Sequence, residues 1–449
     1  MKNLHYVMIG AGTGAALVLL ATSPYLAPLV SRAAASPSTE AAATYRELAL
    51  FGKVFEAVGQ DYVDKPDPKK LIQSALTGMI GHLDPHSSYM NAKAFKEMQV
   101  ETSGQFGGLG MEVTTENHLV KVISPIDGTP AAKAGVLAGD VITQIDGQPI
   151  EKLALETVVD KLRGPVGSKV TIQIQRPKVA KPIVVTLTRE IIKVRPVSYR
   201  DEGGDVGYLR VKEFNELTND ELKDAISDLS AKIPAGKLKG YILDLRNNPG
   251  GLLDQAVGVV NDFLSQGEIV STRGRDPGDD ERFFAKPKLG DLTNGKPLIV
   301  LINGGSASAS EIVSGALQDQ KRATILGTRS FGKGSVQTIM PLGPGNGALR
   351  LTTAKYYTPS GRSIQAEGIT PDITVLQKVP KELQASEAEV SEASLPGHFH
   401  AQGKEERGSQ AYVPDKAADD AALQTALALL RGTKHDAAFP PKRQQALAR

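Results

Sequence analysis

Ser306, Ser308 and Ser310 occupy alternate positions in NGGSASASEIVSGALQDQ, residues 303–320. The stretch follows the apolar run PLIVLIN and leads into an amphipathic segment, which reads as a strand, a glycine turn and a helix. The alanines between the hydroxyls are small, and a helix N-terminus adds partial positive charge where an oxyanion would form. A serine becomes a nucleophile only with a base within hydrogen-bond reach. The chain has seven histidines, His5, His82, His86, His118, His398, His400 and His435, and none falls in residues 190–380, where the serines lie. A Ser-His-Asp triad would therefore need a histidine from another domain. In the same region Lys333, flanked by glycines in SFGKGSVQ, stands twenty-five residues beyond Ser308. A lysine base must be neutral near pH 7, which means lowering its pKa from about 10.4 by roughly three units, on the order of 4 kcal/mol. Burial in an apolar site supplies such a shift, whereas a surface-loop lysine keeps its charge. The residues by themselves leave open which serine acts and whether Lys333 is the base.

Residues 190–380 must position these groups. VGYLRV, KGYILDLR, PLIVLIN and ATILGT read as strands, with NELTNDELKDAISDLSAKI, LLDQAVGVVNDFLSQ and SASEIVSGALQDQ as helices between them. This alternation implies an α/β core with a largely parallel sheet and functional loops at the strand ends. NNPGG reads as a tight turn after the second strand. Asp244 and Arg246, at the end of a buried strand, read as a structural ion pair or sheet-end contacts, and Asp319 as a residue that holds a loop. Glu311 is either a helix-start acid that favours the dipole or part of the site.

Residues 96–180 form a different, β-rich module. GQFGGLGMEV opens it, strands HLVKVISPI and DVITQIDGQPI flank the short helix TPAAKAG, and the helix KLALETVVDKLRG precedes the alternating strand KVTIQIQR. This order resembles a PDZ domain. The loop Gly107, Gly108, Leu109, Gly110, Met111 matches that family's carboxylate-binding loop, whose successive N–H groups hold a peptide terminus while the peptide adds as a strand. Residues 41–95 read as a helical segment, with Leu48, Phe51, Val54, Phe55 and Val58 at helical spacing. Such helices pack on a partner, here a second copy of the chain or an adaptor protein. Residues 381–449 read as a polar, mobile linker followed by the helix DDAALQTALALLRG and a frayed end.

Lys2 opens a segment, residues 1–35, whose centre VMIGAGTGAALVLLATS is apolar and which ends in small residues, the pattern of a signal peptide or a retained membrane anchor. Either reading places the rest of the chain outside the cytoplasm, as a periplasmic or otherwise exported protein. The net charge of +2, with both signs interspersed, argues against nucleic acid as a partner. The chain has no cysteine, which removes disulfides, thiolate catalysis and Cys-based zinc sites. No clustered His, Asp or Glu spacing suggests a metal, and no cofactor is expected.

Taken together, LDPHSSYM, the inserted PDZ-like module, DLRNNPGG, NGGSASASEI, FGKGSVQT and GRSIQAEGITPDI resemble the carboxyl-terminal processing, or tail-specific, serine peptidases over about residues 45–380. The resemblance implies a crotonase-like α/β protease core with an inserted PDZ domain, and an endopeptidase that cleaves protein substrates with free apolar C-termini. It implies Ser308 as nucleophile, Lys333 as base and Gln337 as the residue that orients the lysine. It places oxyanion donors at the Ala309 N–H and at Gly250 or Gly251, and makes Arg163, in KLRGPVG, a regulatory link between peptide binding and catalysis. Two rival classes are a non-catalytic peptide-binding protein and an acyl-CoA enzyme on a crotonase-type core; an export segment argues against the second.

Overall fold

The computed structural model describes residues 39–116, 119–287, 290–384 and 390–442. The apolar segment read at residues 1–35 lies outside them. Among the described residues no helix is long and apolar enough to cross a membrane. The chain divides into two units, residues 1–75 and 76–449. The first contains helix α1 (Thr39–Asp61) and the start of α2 (Pro68–Gly81), as far as Ala75. On α1, Phe51 and Phe55 stack with ring centroids 6.4 Å apart, as neighbours four residues apart on one helix face can. Tyr45, Leu48, Phe51 and Val54 remain exposed.

The second unit begins within α2. The turn after it leads to β1 (Ser88–Met90) and α3 (Ala92–Ser103), which Gly104 ends in a left-handed cap. Then come β2 (Gln105–Gly108), β3 (Met111–Glu116), β4 (Leu119–Pro125), the one-turn helix α4 (Pro130–Lys133), β5 (Val141–Ile145), β6 (Gln148–Pro149), α5 (Leu155–Leu162), β7 (Lys169–Gln175) and β8 (Ile183–Thr188). Strands β3-β4-β5-β7-β8 form an antiparallel sheet in that order, with β6 paired to β5. Period-two alternation in KVTIQIQ buries Val170, Ile172 and Ile174 against Val122, Ile142 and Ile145 and against Val158 and Leu162 of α5. This module runs to Thr188, past the residue-180 limit read from the sequence. Strand β9 (Glu190–Lys193) then returns the chain beside β2.

The core follows: β10 (Val197–Glu202), β11 (Val206–Val211), α6 (Thr218–Lys232), β12 (Gly240–Asp244), α7 (Leu253–Asn261), β13 (Glu268–Arg273), β14 (Glu281–Phe284), β15 (Leu298–Ile302), α8 (Ala309–Asp319), β16 (Thr324–Gly327), β17 (Ser335–Pro341), β18 (Ala348–Tyr357), β19 (Ile373–Thr374) and α9 (Ala421–Arg431). The main sheet has the order β10-β11-β12-β15-β16-β19, parallel except for β10. Strands buried on both faces read as unbroken apolar runs, as LIVLI does. Leu243, Val300 and Ile325 turn to one face, against Leu222, Ile226, Val259, Ile312 and Leu317 of α6, α7 and α8. Ile242, Ile299, Leu301 and Leu326 turn to the other, which Leu423, Ala426, Leu427 and Leu430 of α9 cover. A second, antiparallel sheet has the order β1-β18-β13-β14, with β17 also on β18.

The segment read as a polar, mobile linker is laid along the core in residues 390–412. Its polar groups meet backbone partners there: Ser409 Oγ donates to Arg329 O, the Gly304 N–H donates to Gln410 O (3.0 Å), and Asn303 Nδ2 donates to Ala411 O (2.7 Å). Composition marks such a stretch as unable to form a core by itself, and here it docks on one already formed. At its far end Asp420 caps α9 by accepting the Leu423 N–H (3.0 Å) and receives Arg246 Nη1 (2.8 Å) and Gln377 Nε2 (2.7 Å). Arg246 also pairs with Asp244 (2.6 Å), the ion pair expected at that strand end, and the Tyr208 hydroxyl donates to Asp244 (2.6 Å).

This buried network makes a stability prediction. Asp420→Ala leaves Arg246 short of one counter-charge and removes a helix cap, and should cost about 3 kcal/mol. Asp205→Ala, which removes the surface partner of Arg431 (2.8 Å), should cost under about 1 kcal/mol. Urea unfolding of the two variants checks the contrast.

Candidate active site

The three serines are treated differently by the turn between β15 and α8. Ser306 donates its hydroxyl to Leu245 O (2.8 Å) and accepts the Asn303 N–H (3.0 Å), which makes it a turn residue. Ser310 donates to Asn248 O (2.9 Å), so it ties the helix start to the NNPGG turn. Ser308 precedes the first residue of α8 with φ 54° and ψ −113°, a left-handed backbone that a residue with a side chain adopts only under constraint. Among the described residues its hydroxyl is donated to no scaffold carbonyl.

Gly250 comes close to this serine. A Cβ there would lie 2.8 Å from Ser308 Cβ and 3.0 Å from Ala309 N, so only glycine permits the approach. The Gly250 N–H donates to Asn248 Oδ1 (2.9 Å). Gly251 faces Phe214 in a parallel bridge, framed by Phe214 N–H to Gly250 O (2.9 Å) and Leu252 N–H to Phe214 O (2.7 Å). That register turns the Gly251 N–H away from Phe214. The Ala309 N–H belongs to the first turn of α8, where helix donors have no intrahelical partner.

Glu311 joins the two candidate groups. It is fully buried, and its carboxylate receives four donors. Oε1 accepts the Ser330 hydroxyl (2.5 Å) and the Gly332 N–H (2.7 Å); Oε2 accepts the N–H groups of Ser308 (2.8 Å) and Lys333 (2.9 Å). The backbones of Ser308 and Lys333 thus meet on one oxygen atom. Burial pushes the Glu311 carboxyl up to about 7, and the four donors, from Ser330, Gly332, Ser308 and Lys333, pull the other way by favouring the ionised form. Of the two roles open in the sequence, helix-start acid and member of the site, Glu311 occupies both positions.

Burial likewise pushes the Lys333 ammonium below its ordinary value. Glu392 is the largest opposing influence, Arg350 acts with the burial, and Glu311 and Asp84 act against it. Among the described residues no hydrogen bond joins Lys333 Nζ to Ser308. Gln337 donates its amide to Ser335 Oγ (3.0 Å) and Thr352 Oγ1 (3.1 Å), not to the lysine. Thr352 Oγ1 in turn donates to Asp84 Oδ1 (3.0 Å). Burial alone would raise the Asp84 carboxyl; hydrogen bonds from Ser87, the His86 N–H and Thr352 outweigh it and hold the group low.

No histidine falls in residues 190–380, yet one from outside them reaches this core. Strand β1 pairs with β18, with Ser88 opposite Arg350, and so draws the LDPHS turn onto the core. His86 Nε2 there bonds Glu392 Oε2 at 2.8 Å. Its ring has no bond to Ser308. Asp84, His86, Ser330, Thr352, Gln365 and Glu392 went unassigned in the sequence; the LDPHS motif was the signal for the first two, and nothing short of the tertiary contacts marks the others.

In the β-rich module the carbonyls of the glycine loop turn inward. Leu109 O accepts the Ala131 N–H (2.9 Å), and Gly110 O accepts the Ile126 N–H (2.8 Å) and the Thr129 hydroxyl (2.9 Å). Gly110 has φ 74°, and a Cβ there would strike Thr129. Leu109 is buried, Met111 opens β3, and β3 is an edge strand. Gly107 and Gly108 lie in β2, paired with Ile191 and Glu190. Arg163 follows α5 and stacks its guanidinium on Phe106, 4.3 Å from the ring centroid. It lines a cleft of about 330 Å³ with Lys93, Glu97, Val100, Phe106 and Asp160, and no bond links it to Ser308 or Lys333.

Among the described residues one grouping offers metal-ligand atoms: those of His398, His400 and Glu405 lie within 4.8 Å of one another. His400 and Glu405 are exposed, and both imidazoles already bond one Glu405 oxygen, at 3.3 and 2.7 Å.

Three family models match the chain: peptidase family S41 over residues 205–375, a PDZ domain over 121–176, and the activating protease CtpB N-terminal domain over 8–94. The chain is 59% identical over 402 residues to the carboxy-terminal-processing protease of Bartonella bacilliformis, covering 89% of this chain and 91% of that protein. It is 38% identical over 325 residues to a probable CtpA-like serine protease of Staphylococcus aureus, covering 72% of this chain and 63% of that longer protein. The photosystem II D1 C-terminal processing protease superposes with a TM-score of 0.42 at 31% identity, over 73% of this chain and 92% of that one.

The environment of Glu311 predicts an asymmetric response. Glu311→Gln would turn an amide N–H₂ toward N–H donors that now share a carboxylate, leaving at least one buried donor unmet, about 1–3 kcal/mol. Turnover should fall at least about tenfold and the melting temperature should drop; kinetics and calorimetry on the variant check both.

Proposed function

The chain belongs to the carboxy-terminal-processing serine proteases of peptidase family S41, and we propose that Ser308 is the nucleophile and Lys333 the general base. The observation that carries this reading is the pair of backbone N–H groups, from Ser308 and Lys333, held on one oxygen of buried Glu311. It is supported by the strained backbone of Ser308 and by the burial that favours neutral lysine. Lys333 takes the Ser308 proton as the oxygen attacks the scissile carbonyl, then gives it to the leaving amine; water and the same lysine release the acyl group. The Ala309 N–H and a donor from the Gly250–Gly251 turn hold the oxyanion. Gln337 orients the lysine through its amide oxygen; because its N–H₂ is given to Ser335 and Thr352 and no bond joins Lys333 to Ser308, we read the described arrangement as a resting state.

The glycine loop with edge strand β3 takes the apolar C-terminus of a protein substrate, which adds as a strand with its carboxylate against the Gly108–Met111 N–H groups. Arg163 leaves the Phe106 face when peptide is bound and shifts the population toward an aligned Ser308–Lys333–Gln337 set by its differential contacts. The exposed apolar face of α1 pairs with a second copy of the chain, and residues 1–35 direct export.

Two outcomes test this. Ser308→Ala should abolish peptide cleavage and labelling by a fluorophosphonate probe, while Ser306→Ala and Ser310→Ala keep a substantial part of both. Activity should fall as pH drops through the lowered pKa of Lys333, since protonation removes the base, and Lys333→Arg should be inactive yet folded. Wild-type rates in Lys333→Arg would refute the base. For the PDZ-like module, amidating a substrate's C-terminus should weaken binding at least about tenfold, as expected when charge-assisted hydrogen bonds are lost. Arg163→Ala should bind peptide normally in calorimetry yet cleave long substrates more slowly; normal turnover would leave the arginine as a helix-end charge.

A further inference from the structure

Glu392 is a buried carboxylate that the mechanism above does not use. It lies on the segment of residues 390–412, beyond the stretch matched by the peptidase family model, and is fully buried. Its N–H donates to Phe331 O (3.1 Å). Its side chain accepts His86 Nε2 on both oxygens (3.0 and 2.8 Å) and Gln365 Nε2 on Oε1 (2.8 Å). Gln365 uses its own Oε1 to accept the Gly334 N–H (3.1 Å), and its backbone leaves no room for a side chain at Gly334, where a Cβ would lie 2.4 Å from Gln365 N. The loop that carries Lys333 is therefore held at Phe331 by the Glu392 backbone and at Gly334, through Gln365, by the Glu392 carboxylate.

From these contacts we infer that Glu392 is a positioning residue for Lys333, closing the 390–412 strap over the lysine loop and setting both where the base stands and how much negative charge surrounds it. The inference rests on the reading of Lys333 as the base. Four charged groups act electrostatically on that lysine: Glu392 of the strap, Arg350 of β18, Glu311 of α8 and Asp84 of the turn before β1. Glu392 is the foremost of the carboxylates and favours the ammonium form, which cannot act as a base. The donors from His86 and Gln365 spread its charge, so that the anchor is kept while its opposition to a neutral lysine is moderated. Anchor and charge thus act in opposite directions on the rate, and two substitutions separate them.

The experiment measures cleavage of a quenched-fluorescence peptide with a free apolar C-terminus across pH, using the full chain and its Glu392→Gln, Glu392→Ala and Lys333→Ala variants. Glu392→Gln keeps an acceptor for His86 and Gln365 but removes the charge. The acid limb of its kcat/KM profile should move to lower pH by about half to one unit, with the plateau kept within about threefold. Glu392→Ala frees the loop, and kcat should fall at least about tenfold with KM within about twofold. If Glu392→Ala does not fold, as judged by calorimetry, the Glu392→Gln profile decides. An unmoved or upward-moving limb in Glu392→Gln, a plateau loss without a shift, or wild-type kcat in folded Glu392→Ala would each overturn the inference. Activity in Lys333→Ala would instead overturn the base assignment itself, so the two failures are distinguishable.

Discussion

The carboxylate of Glu311 organises the site. An ionised group taken out of water is costly unless each of its acceptor positions meets a donor, and here four are met from three places along the chain: the residue before α8, Ser330, and the glycine loop at Gly332–Lys333. That requirement locks the start of one helix to a loop more than twenty residues later. It also accounts for the backbone of Ser308. A left-handed serine persists only where its surroundings over-determine it, and here its N–H is fixed by Glu311 while Gly250 closes on its side chain.

Three adjacent strands of the parallel sheet make this convergence inevitable. β12, β15 and β16 run side by side in the same direction, so the NNPGG turn, the serine turn and the chain leading to the lysine loop all leave from the same edge. Helices α6, α7 and α8 on one face and α9 on the other keep the strands dry. Loops at such an edge inherit the rigidity of the sheet, while their glycines allow backbones to approach within contact distance.

Around Lys333 the electrostatics are balanced between opposing demands. Burial favours the neutral amine; Glu392, Glu311 and Asp84 favour the cation; Arg350 sides with burial. The carboxylates are nonetheless structural, because each one binds backbone or side-chain donors that shape the loops. The negative charges around Lys333 sit where hydrogen bonds already occupy them, and burial acts against their influence on the ammonium.

Much was legible in the sequence because it is local. Unbroken apolar runs gave buried parallel strands, period-two alternation gave β7, glycine and proline gave the turns, and the family's motifs came in recognisable order from LDPHS to GRSIQAEGITPDI. The seven histidines were equally plain, but their positions by region do not show that pairing of β1 with β18 carries His86 onto the core from outside it. The polar stretch after β19 is poor in apolar residues, and it takes its shape from carbonyls and donors of the core it docks on. Which serine is strained, where the Gln337 amide points and what surrounds Lys333 were decided only by tertiary structure. The physical reason is common to all three: each depends on hydrogen-bond partners distant in sequence, and a carboxylate's choice among donors is set by burial and geometry that no spacing along the chain encodes.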